Sequence, residues 1–536
     1  GMSANINDWT ERLLKEDIDG TQSYYKVDGE PLGEKNPKWL QDDYVKFLRF
    51  AQWKIQQSGQ GIVGMITNHS YLDNPTFRGM RQSLMKTFDE IYVLDLHGNS
   101  LKKETTPEGG KDENVFDIRQ GVAIILLVKN VKRKQAKIFH HDLFGLRKEK
   151  YEWLNTHKFS EKNYSQINPQ TPYYFLIKRD TGKIKRYLRW PKINDIFLLN
   201  SVGIVTSRDQ FAIDFSEHEL LNKIMQFRNL SQADEIIAQA FNLKNKSNWK
   251  IYEARKKLNQ LEDWKDHFKE ILYRPFDVRS IYYHQSIIER MRFEVMRHFE
   301  EENIGLAVGR QGQVVGQEYP WNLIFISAKM IDFNMFYRGG ELIFPLYIYP
   351  EKQKRNTRSG STLMMVFDDI ETYGKKPNIA PALFDKLAVA YGTTPSPEDI
   401  LYYIYGVFYS NVFRQTYAEF LKIDFPRMPF TSDYKLFKSV GKFGQKLVNL
   451  HLLEKSTVDP PVAKYPQTSG NDTIEKINYI ENEQRIYINK DKYFEGIDPV
   501  IWNYRIGGYQ VLHKYLKDRK GRKMEDVQRY CHIVTA

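Results

Sequence analysis

The sequence predicts an α/β sheet domain in its first part and a larger α+β region after it. Three observations carry this reading. A strand, helix, strand, strand succession runs over 61–129, an amphipathic helix precedes it, and beyond about residue 150 helices and short strands follow one another without regular alternation. GIVGMIT (61–67) is a short apolar run that turns polar at NHSYLD (68–73), the kind of strand end at which open α/β sheets place ligand groups. Pro75 opens the next helix. Phe77, Met80, Leu84 and Phe88 are spaced to bury one face, leaving Arg78, Arg81 and Lys86 for solvent or phosphate. EIYVLDLHGNS (90–100) repeats the apolar-then-polar pattern, and after a charged, Gly-rich excursion Val122 to Val128 reads as a buried central strand. The helix at 41–57 is expected to pack on this sheet through Tyr44, Phe47, Leu48, Ala51 and Ile55.

Farther on, VKRKQAKIFHHDLFG (131–145) reads as a basic hairpin-like stretch, with a domain boundary near 150. From TPYYFLIK (171–178) to about 215, short aromatic strands are expected between turns. Helices follow at SEHELLNKIMQFRNL, SQADEIIAQAFNL and WKIYEARKKLNQLEDWKDHFKEIL, and a second boundary is placed at 270. GLAVGR, WNLIFIS and ELIFPLYIY return to strands, PEKQKRNTRSGS (350–361) is a polar loop, and residues 455–481 form a Pro-, Ser-, Thr- and Asn-rich surface excursion. Ser396 as a cap with Pro397 at the first helical position starts a long helix.

Bulk properties favour a polyanionic partner. Lys and Arg exceed Asp and Glu by 12, and the pI is about 9.2, which draws nucleic acid through counterion release, although many proteins without that role are as basic. The single cysteine, Cys531, excludes a disulfide framework and a Cys-based zinc site. No apolar run approaches a membrane span of roughly 20 residues and no signal peptide is visible, so the cytoplasm is the expected location. The aromatic content of 14% suits base stacking and ordinary packing alike.

GIVGMITNHSYLDNPTFRGMRQSL, FDEIYVLDLHGNSLKKE and ENVFDIRQGVAIILLVK resemble the second half of the γ-type adenine-N6 DNA methyltransferases, most closely those of Type ISP restriction-modification enzymes. YRPFDVRSIYY, FYRGGELIFPLYIY, YIYGVFYSNVFRQTYAEFLKIDFPRMPF and WNYRIGGYQVLHKYLKDRKGR extend the resemblance over most of the chain. It implies a partial Rossmann-like methyltransferase domain at 1–150, a connector and helical region at 151–270, and an α+β target recognition domain at 271–536. Intact relatives flip an adenine out of double-stranded DNA and methylate it from S-adenosylmethionine. They hold the donor in a Gly-rich loop and the amine in an Asn-Pro-Pro-Tyr turn, and a nuclease and helicase portion performs restriction.

Neither element is in this sequence. The Asn-Pro pairs at 36, 74 and 168 are followed by Lys38, Thr76 and Gln170, and no Gly-rich strand-to-helix loop precedes Gln41. Met2 is therefore expected to start just after the turn, with Gly1 an added residue. The chain alone is expected neither to bind S-adenosylmethionine nor to methylate, but to keep DNA contact and sequence choice. Two alternatives stand beside this: a non-catalytic specificity or scaffold subunit completed by another polypeptide carrying the missing half or a nuclease and helicase, and a decayed fragment.

Phe116, just before the 122–128 strand, stands where the family puts an aromatic that stacks on the flipped adenine; the competing reading is a core Phe at a strand entrance. Asn68 and His69 end a strand on the catalytic edge. Transfer from a sulfonium methyl needs positioning more than a strong base, so they are expected as structural polar caps, as are Asp95 and His97. Candidate DNA contacts are Arg274 and Arg279, with a buried pairing to Asp277 equally open, Arg208 in the joining segment 196–213, and Arg310, Gln311 and Gln313 on a Gly-flexed loop. Lys329, just before MIDFNMFYRGG (330–340), and Asp332 and Arg338 within it are further candidates. KYLKDRKGRK (514–523), with Lys517, Arg519, Lys520 and Arg522, reads as a phosphate clamp or as a solvated helix end. No metal site is expected: His140 and His141 lack partners at ligand spacing along the chain.

Overall fold

The structure, a computed structural model, describes residues 7–34, 37–101, 104–130, 135–180, 182–310, 320–350, 374–466 and 469–536. Its contacts divide the chain into two compact units, the first mainly residues 1–185 and the second mainly 186–536. The boundaries read from composition, near 150 and 270, differ from this one division.

The first unit is built on a five-stranded sheet: β1 (Gly61–Asn68), β2 (Glu90–Asp95), β3 (Val122–Lys129), β4 (Lys137–Asp142) and β5 (Ser165–Ile167). The order is β1-β3-β2-β4-β5. β3 runs antiparallel to both β1 and β2, while β4 is parallel to β2. β1, β2 and β4 therefore share one direction and end on one edge, where Asn68 pairs with Val122, and Asp95 with Ala123 on one side and Asp142 on the other. Among the described residues of the hairpin expected at 131–145, only one strand forms, and it pairs elsewhere. β4 passes beyond β3 to the far side of β2, because Ile138 and Phe139 find burial there, and residues 131–134 lie outside the described set.

Two helices cover the sheet. α1 (Asp43–Ser58) ends at Gly59, whose φ of 77° supplies the left-handed cap, and α2 (Arg78–Thr87) follows a single 3-10 turn that Asn74 caps. α1 buries Val45, Leu48, Arg49 and Gln52, one position off the expected stripe, and Phe47 is 62% exposed. The reason lies in the preceding chain, whose irregular backbone leaves carbonyls that only a donor can satisfy. Arg49 gives hydrogen bonds to Leu13 O (2.6 Å) and Gln22 O (2.9 Å), and Gln52 reaches Ser83 and Thr87 on α2. Arg81 is likewise not left for solvent. It is fully buried and donates to the carbonyls of Tyr71, Asn74 and Tyr173. That segment, expected as a strand at 171–178, is instead a run of turns held by such contacts.

Among the described residues of the second unit, two sheets are the largest in its first half. One joins β6 (Ile213–Asp214), β7 (Phe268–Arg274), β8 (Asp277–Tyr282) and β11 (Met330–Ile331) in the order β11-β7-β8-β6; the other is the antiparallel triplet of β9 (Gly305–Val308), β10 (Ile324–Ser327) and β12 (Leu342–Pro345) with β9 central. The third expected helix stops at Gln260, and Phe268 onward, the tail of its periodic run, becomes β7. α3 (Pro397–Tyr409) begins as expected, with Ser396 accepting from the Asp399 amide, and it crosses α4 (Tyr434–His451) at Gly406 and Gly444. A Cβ on Gly444 would sit 1.8 Å from Tyr402 O, so only glycine permits this approach. A small meander (Asn478–Ile480, Arg485–Tyr487, Tyr493–Glu495) and α5 (Val511–Asp518) lead to the carboxyl-terminal helix Val527–Thr535. Among the described residues no helix is long and apolar enough to cross a membrane.

Candidate functional site

The shared edge of β1, β2 and β4 concentrates polar chemistry. Asn68 accepts from the Ser70 amide (2.8 Å) and so caps the turn that follows β1, as its position in the sequence suggested. His69 is buried. Its Nδ1 lies 3.0 Å from Asp95 Oδ1 and its Nε2 3.2 Å from the Asn99 amide, with the Gly121 carbonyl accepting from its backbone N–H. The ring lies so close to the loop that a Cβ at Gly121 would sit 2.3 Å from it. A ring enclosed this way, with both nitrogens engaged, is positioned to support the loop rather than to take a proton from a ligand.

His97 stands at a φ of 51°, stacks on Phe144 at 3.8 Å, and faces three carboxylates: Asp142 at 2.9 Å, and Asp95 and Glu104 at 3.8 Å each. Burial opposes its charge, yet those acids push its pKa up to about 10. Burial likewise raises the Asp95 carboxyl, but His69 and His97 reverse this and hold it below the usual range. His140, discounted because nothing at ligand spacing flanks it in sequence, lies beside Asp142 and near Asp95. Strand pairing, which spacing along the chain does not report, brings these residues together.

Phe116 stands on the loop entering β3. Asn114 Oδ1 accepts from its amide (2.9 Å), Arg147 donates to its carbonyl (3.1 Å), and Arg147 also binds Asp117 (2.8 Å). Beneath the loop the fully buried Lys150 donates to Leu96 O, Asp112 and Glu113 O, each at 2.7 Å. The side chain itself is 43% exposed. The backbone is thus fixed while the ring is presented outward, which distinguishes it from a core Phe at a strand entrance.

In the second unit several candidate cations are committed to carboxylates or aromatic rings, some buried and some at the surface. Arg279 bonds Asp277 (2.6 Å) and Asp518 (2.8 Å) between the rings of Phe215 and Tyr273, and Arg519 binds the other oxygen of Asp277 at 2.8 Å. Arg274 pairs with Asp332 at 2.6 Å; burial pushes that carboxyl up to about 6 against the pull of Arg274, which leaves it ionised at neutral pH. Arg522 pairs with Glu219, Lys329 with Glu270 (2.6 Å), and Arg208 stacks on Trp249 while donating to Ile287 O (2.6 Å). Arg279 accordingly takes the buried pairing to Asp277 that the sequence left open, Arg274 is buried on Asp332 instead, and Arg519, read as a phosphate clamp or a solvated helix end, is buried on Asp277. Arg310 lies 5.1 Å above the Phe425 ring, and Gln311 and Gln313 fall outside the described residues. Arg338, Lys517 and Lys520 are exposed. Sequence reasoning missed Glu341, a fully buried carboxylate neither of whose oxygens has a hydrogen-bond partner among the described residues. Its position between Gly340 and an apolar strand was the one available signal.

Residues 195–533 match the family model of the Type ISP C-terminal specificity domain. No curated protein matches the chain. Among solved structures, the fold is similar to the ATP-dependent Type ISP restriction-modification enzyme LlaBIII bound to DNA, with a TM-score of 0.70 and 20% identity over 99% of this chain and 34% of that one. It is also similar to the DrdV–DNA complex seen by cryo-electron microscopy (TM-score 0.71, 22% identity, 99% and 53%). A nuclease-deletion mutant of the Type ISP enzyme LlaGI in complex with a DNA substrate mimic gives a TM-score of 0.63 and 19% identity over 94% of this chain and 40% of that one. The chain spans between 34% and 53% of the length of these proteins. By the match over most of its length, the chain belongs to the Type ISP C-terminal specificity domain family.

Proposed function

We propose that this chain is the DNA-binding, target-recognition portion of a site-specific adenine-N6 DNA methyltransferase in a restriction-modification system, joined to the carboxyl half of its Rossmann-like catalytic sheet. The family match over residues 195–533 carries the recognition reading. Solved neighbours captured with DNA support double-stranded DNA as the partner. The catalytic reading is supported by the strand order β1-β3-β2, with an antiparallel strand between two co-directed ones, and by Phe116 held outward at the carboxyl edge. There it would receive an extruded adenine and restore the stacking lost from the duplex. The residues present do not fit S-adenosylmethionine, since no Gly-rich strand-to-helix loop precedes Gln41. The donor would be held by residues outside this sequence.

The second reading, a specificity or scaffold subunit completed by another polypeptide, has its own support. Among the described residues β1 pairs on one side only, and Ile62 and Ile66 on it are 66% and 59% exposed. An apolar edge strand of this kind is a template for a further strand. Electrophoretic mobility shifts in rising salt test the shared claim. We expect duplex binding that survives competitor DNA; absence of binding at low salt would reject both readings and leave a fragment without a task. Replacing Lys517 and Lys520 by Ala should lower the slope of log affinity against log salt by up to about 2, equally for all sequences. An unchanged slope removes both lysines from the DNA face. In the enzyme completed with its preceding half, Phe116→Ala should cut methyl transfer by about tenfold to a hundredfold, following roughly 1–3 kcal/mol per stacked base. The fold should be unaffected, and tritiated-methyl incorporation beside urea unfolding distinguishes a stacking platform from a packing residue.

A further inference from the structure

We propose that His69, Asp95 and His97 form a binding site for one divalent transition-metal ion of the zinc class, with the Glu104 carboxylate beside it. The inference is independent of any role for Phe116. A donor atom from each of His69, Asp95 and His97 lies within 4.8 Å of the other two. His97 Nδ1 is 3.8 Å from Asp95 Oδ2 and 3.8 Å from Glu104 Oε1. Those separations are too long for hydrogen bonds, yet they suit ligands that each reach about 2.0–2.2 Å toward a common ion. Two imidazoles and one carboxylate are a donor set for zinc that leaves a position for water, and Asp95 with the nearby Glu104 offsets the charge of a dication in a buried place.

The surroundings match what ligating histidines require. A metal-bound imidazole is held by a partner on its other ring nitrogen. His97 Nε2 lies 2.9 Å from Asp142 Oδ1, and His69 Nε2 lies 3.2 Å from the Asn99 amide, which can present its oxygen by rotating. Glu104 is fixed in turn by the Asn99 backbone amide (2.7 Å), and Phe144 covers His97 on one face. Asp95 also belongs to a second cluster with His140 and Asp142, and His140 Nε2 is buried without a hydrogen-bond partner among the described residues. An ion here would tie the carboxyl ends of β1 and β2 to the loop at 97–101. That loop braces the entrance to β3, since the Val122 amide donates to His97 O and Asn114 to Gly98 O. The competing arrangement has a protonated His97 held between carboxylates by charge alone.

Titration of the chelator-stripped, full-length chain with Zn²⁺ against a chromophoric indicator separates the two, with Mg²⁺ as the control ion. We expect one equivalent of Zn²⁺ bound tightly and no competition from Mg²⁺. Asp95→Asn and His97→Ala should each abolish binding. Asp142→Asn, which leaves every ligand in place, should weaken it about 10- to 100-fold with an unchanged circular dichroism spectrum. Failure to bind one equivalent, or binding that survives both ligand substitutions, overturns the site. Should those variants not fold, Co²⁺ added to the unaltered protein decides: intense visible bands of a four-coordinate complex support the assignment, and their absence rejects it.

Discussion

Glu341→Gln should raise the stability of the protein at alkaline pH by about 3–5 kcal/mol and leave it almost unchanged near pH 5. Glu341 is completely buried, and neither carboxylate oxygen has a hydrogen-bond partner among the described residues. Burial pushes its pKa up to about 8 from an ordinary 4.5; nearby backbone amides and Arg274 oppose the rise and Asp332 reinforces it. The sign follows directly. Between these two values the folded state keeps a proton that the unfolded chain has released, so stability falls as pH rises through the window. The slope approaches about 1.4 kcal/mol per pH unit in its middle. Gln has the size of the protonated acid and cannot ionise. Urea unfolding at pH 5, 6.5 and 8 should therefore give a declining series for the parent and a flatter one for Glu341→Gln. Parallel series for the two proteins would mean that Glu341 acquires a partner in solution and is ionised without penalty.

How much of this was legible beforehand divides along physical lines. Local patterns transferred well: the apolar runs became β1, β2 and β3, and Ser396 with Pro397 started α3 where expected. Where a donor had to serve distant backbone, periodicity failed, because Arg49 and Gln52 on α1 and Arg81 on α2 are buried by carbonyls that no hydropathy pattern displays. TPYYFLIK looked like a strand since aromatic and β-branched residues favour the pleat, yet its buried contacts are made through turns. The candidate site was half visible. Asn68, His69, Asp95, His97 and Phe116 were found from strand ends, whereas His140 and Asp142 joined them only through the parallel pairing of β4 with β2, and Glu104 through its approach to His97. Charge alone said least. A run of six cations at 514–523 contains two exposed candidate lysines and two arginines spent on carboxylates, one of them 242 positions away.

That distant pair supports the second large prediction: Asp277→Ala should destabilise the protein by about 3–5 kcal/mol, because it strands the buried Arg519 guanidinium and leaves Arg279 with Asp518 alone. Asp277 is 2% exposed; one oxygen accepts from Arg279 and the other from Arg519. Burial raises its carboxyl, but the two arginines outweigh burial and hold the pKa below its ordinary 3.8. This contribution is complete above the ordinary value and is lost as pH falls through the depressed one, so the acid-unfolding limb should flatten in Asp277→Ala. Replacing Asp277 with Leu and both arginines with Met should recover much of the loss, since the penalty arises from uncompensated charge. The same variants decide what the arginines do. As internal partners, Arg519→Ala should cost stability while leaving the salt dependence of DNA binding unchanged, whereas a phosphate contact would reduce the slope by about 1. A reduced slope with unaltered stability would return Arg519 to the DNA face and remove Asp277 from the centre of the second unit's electrostatics.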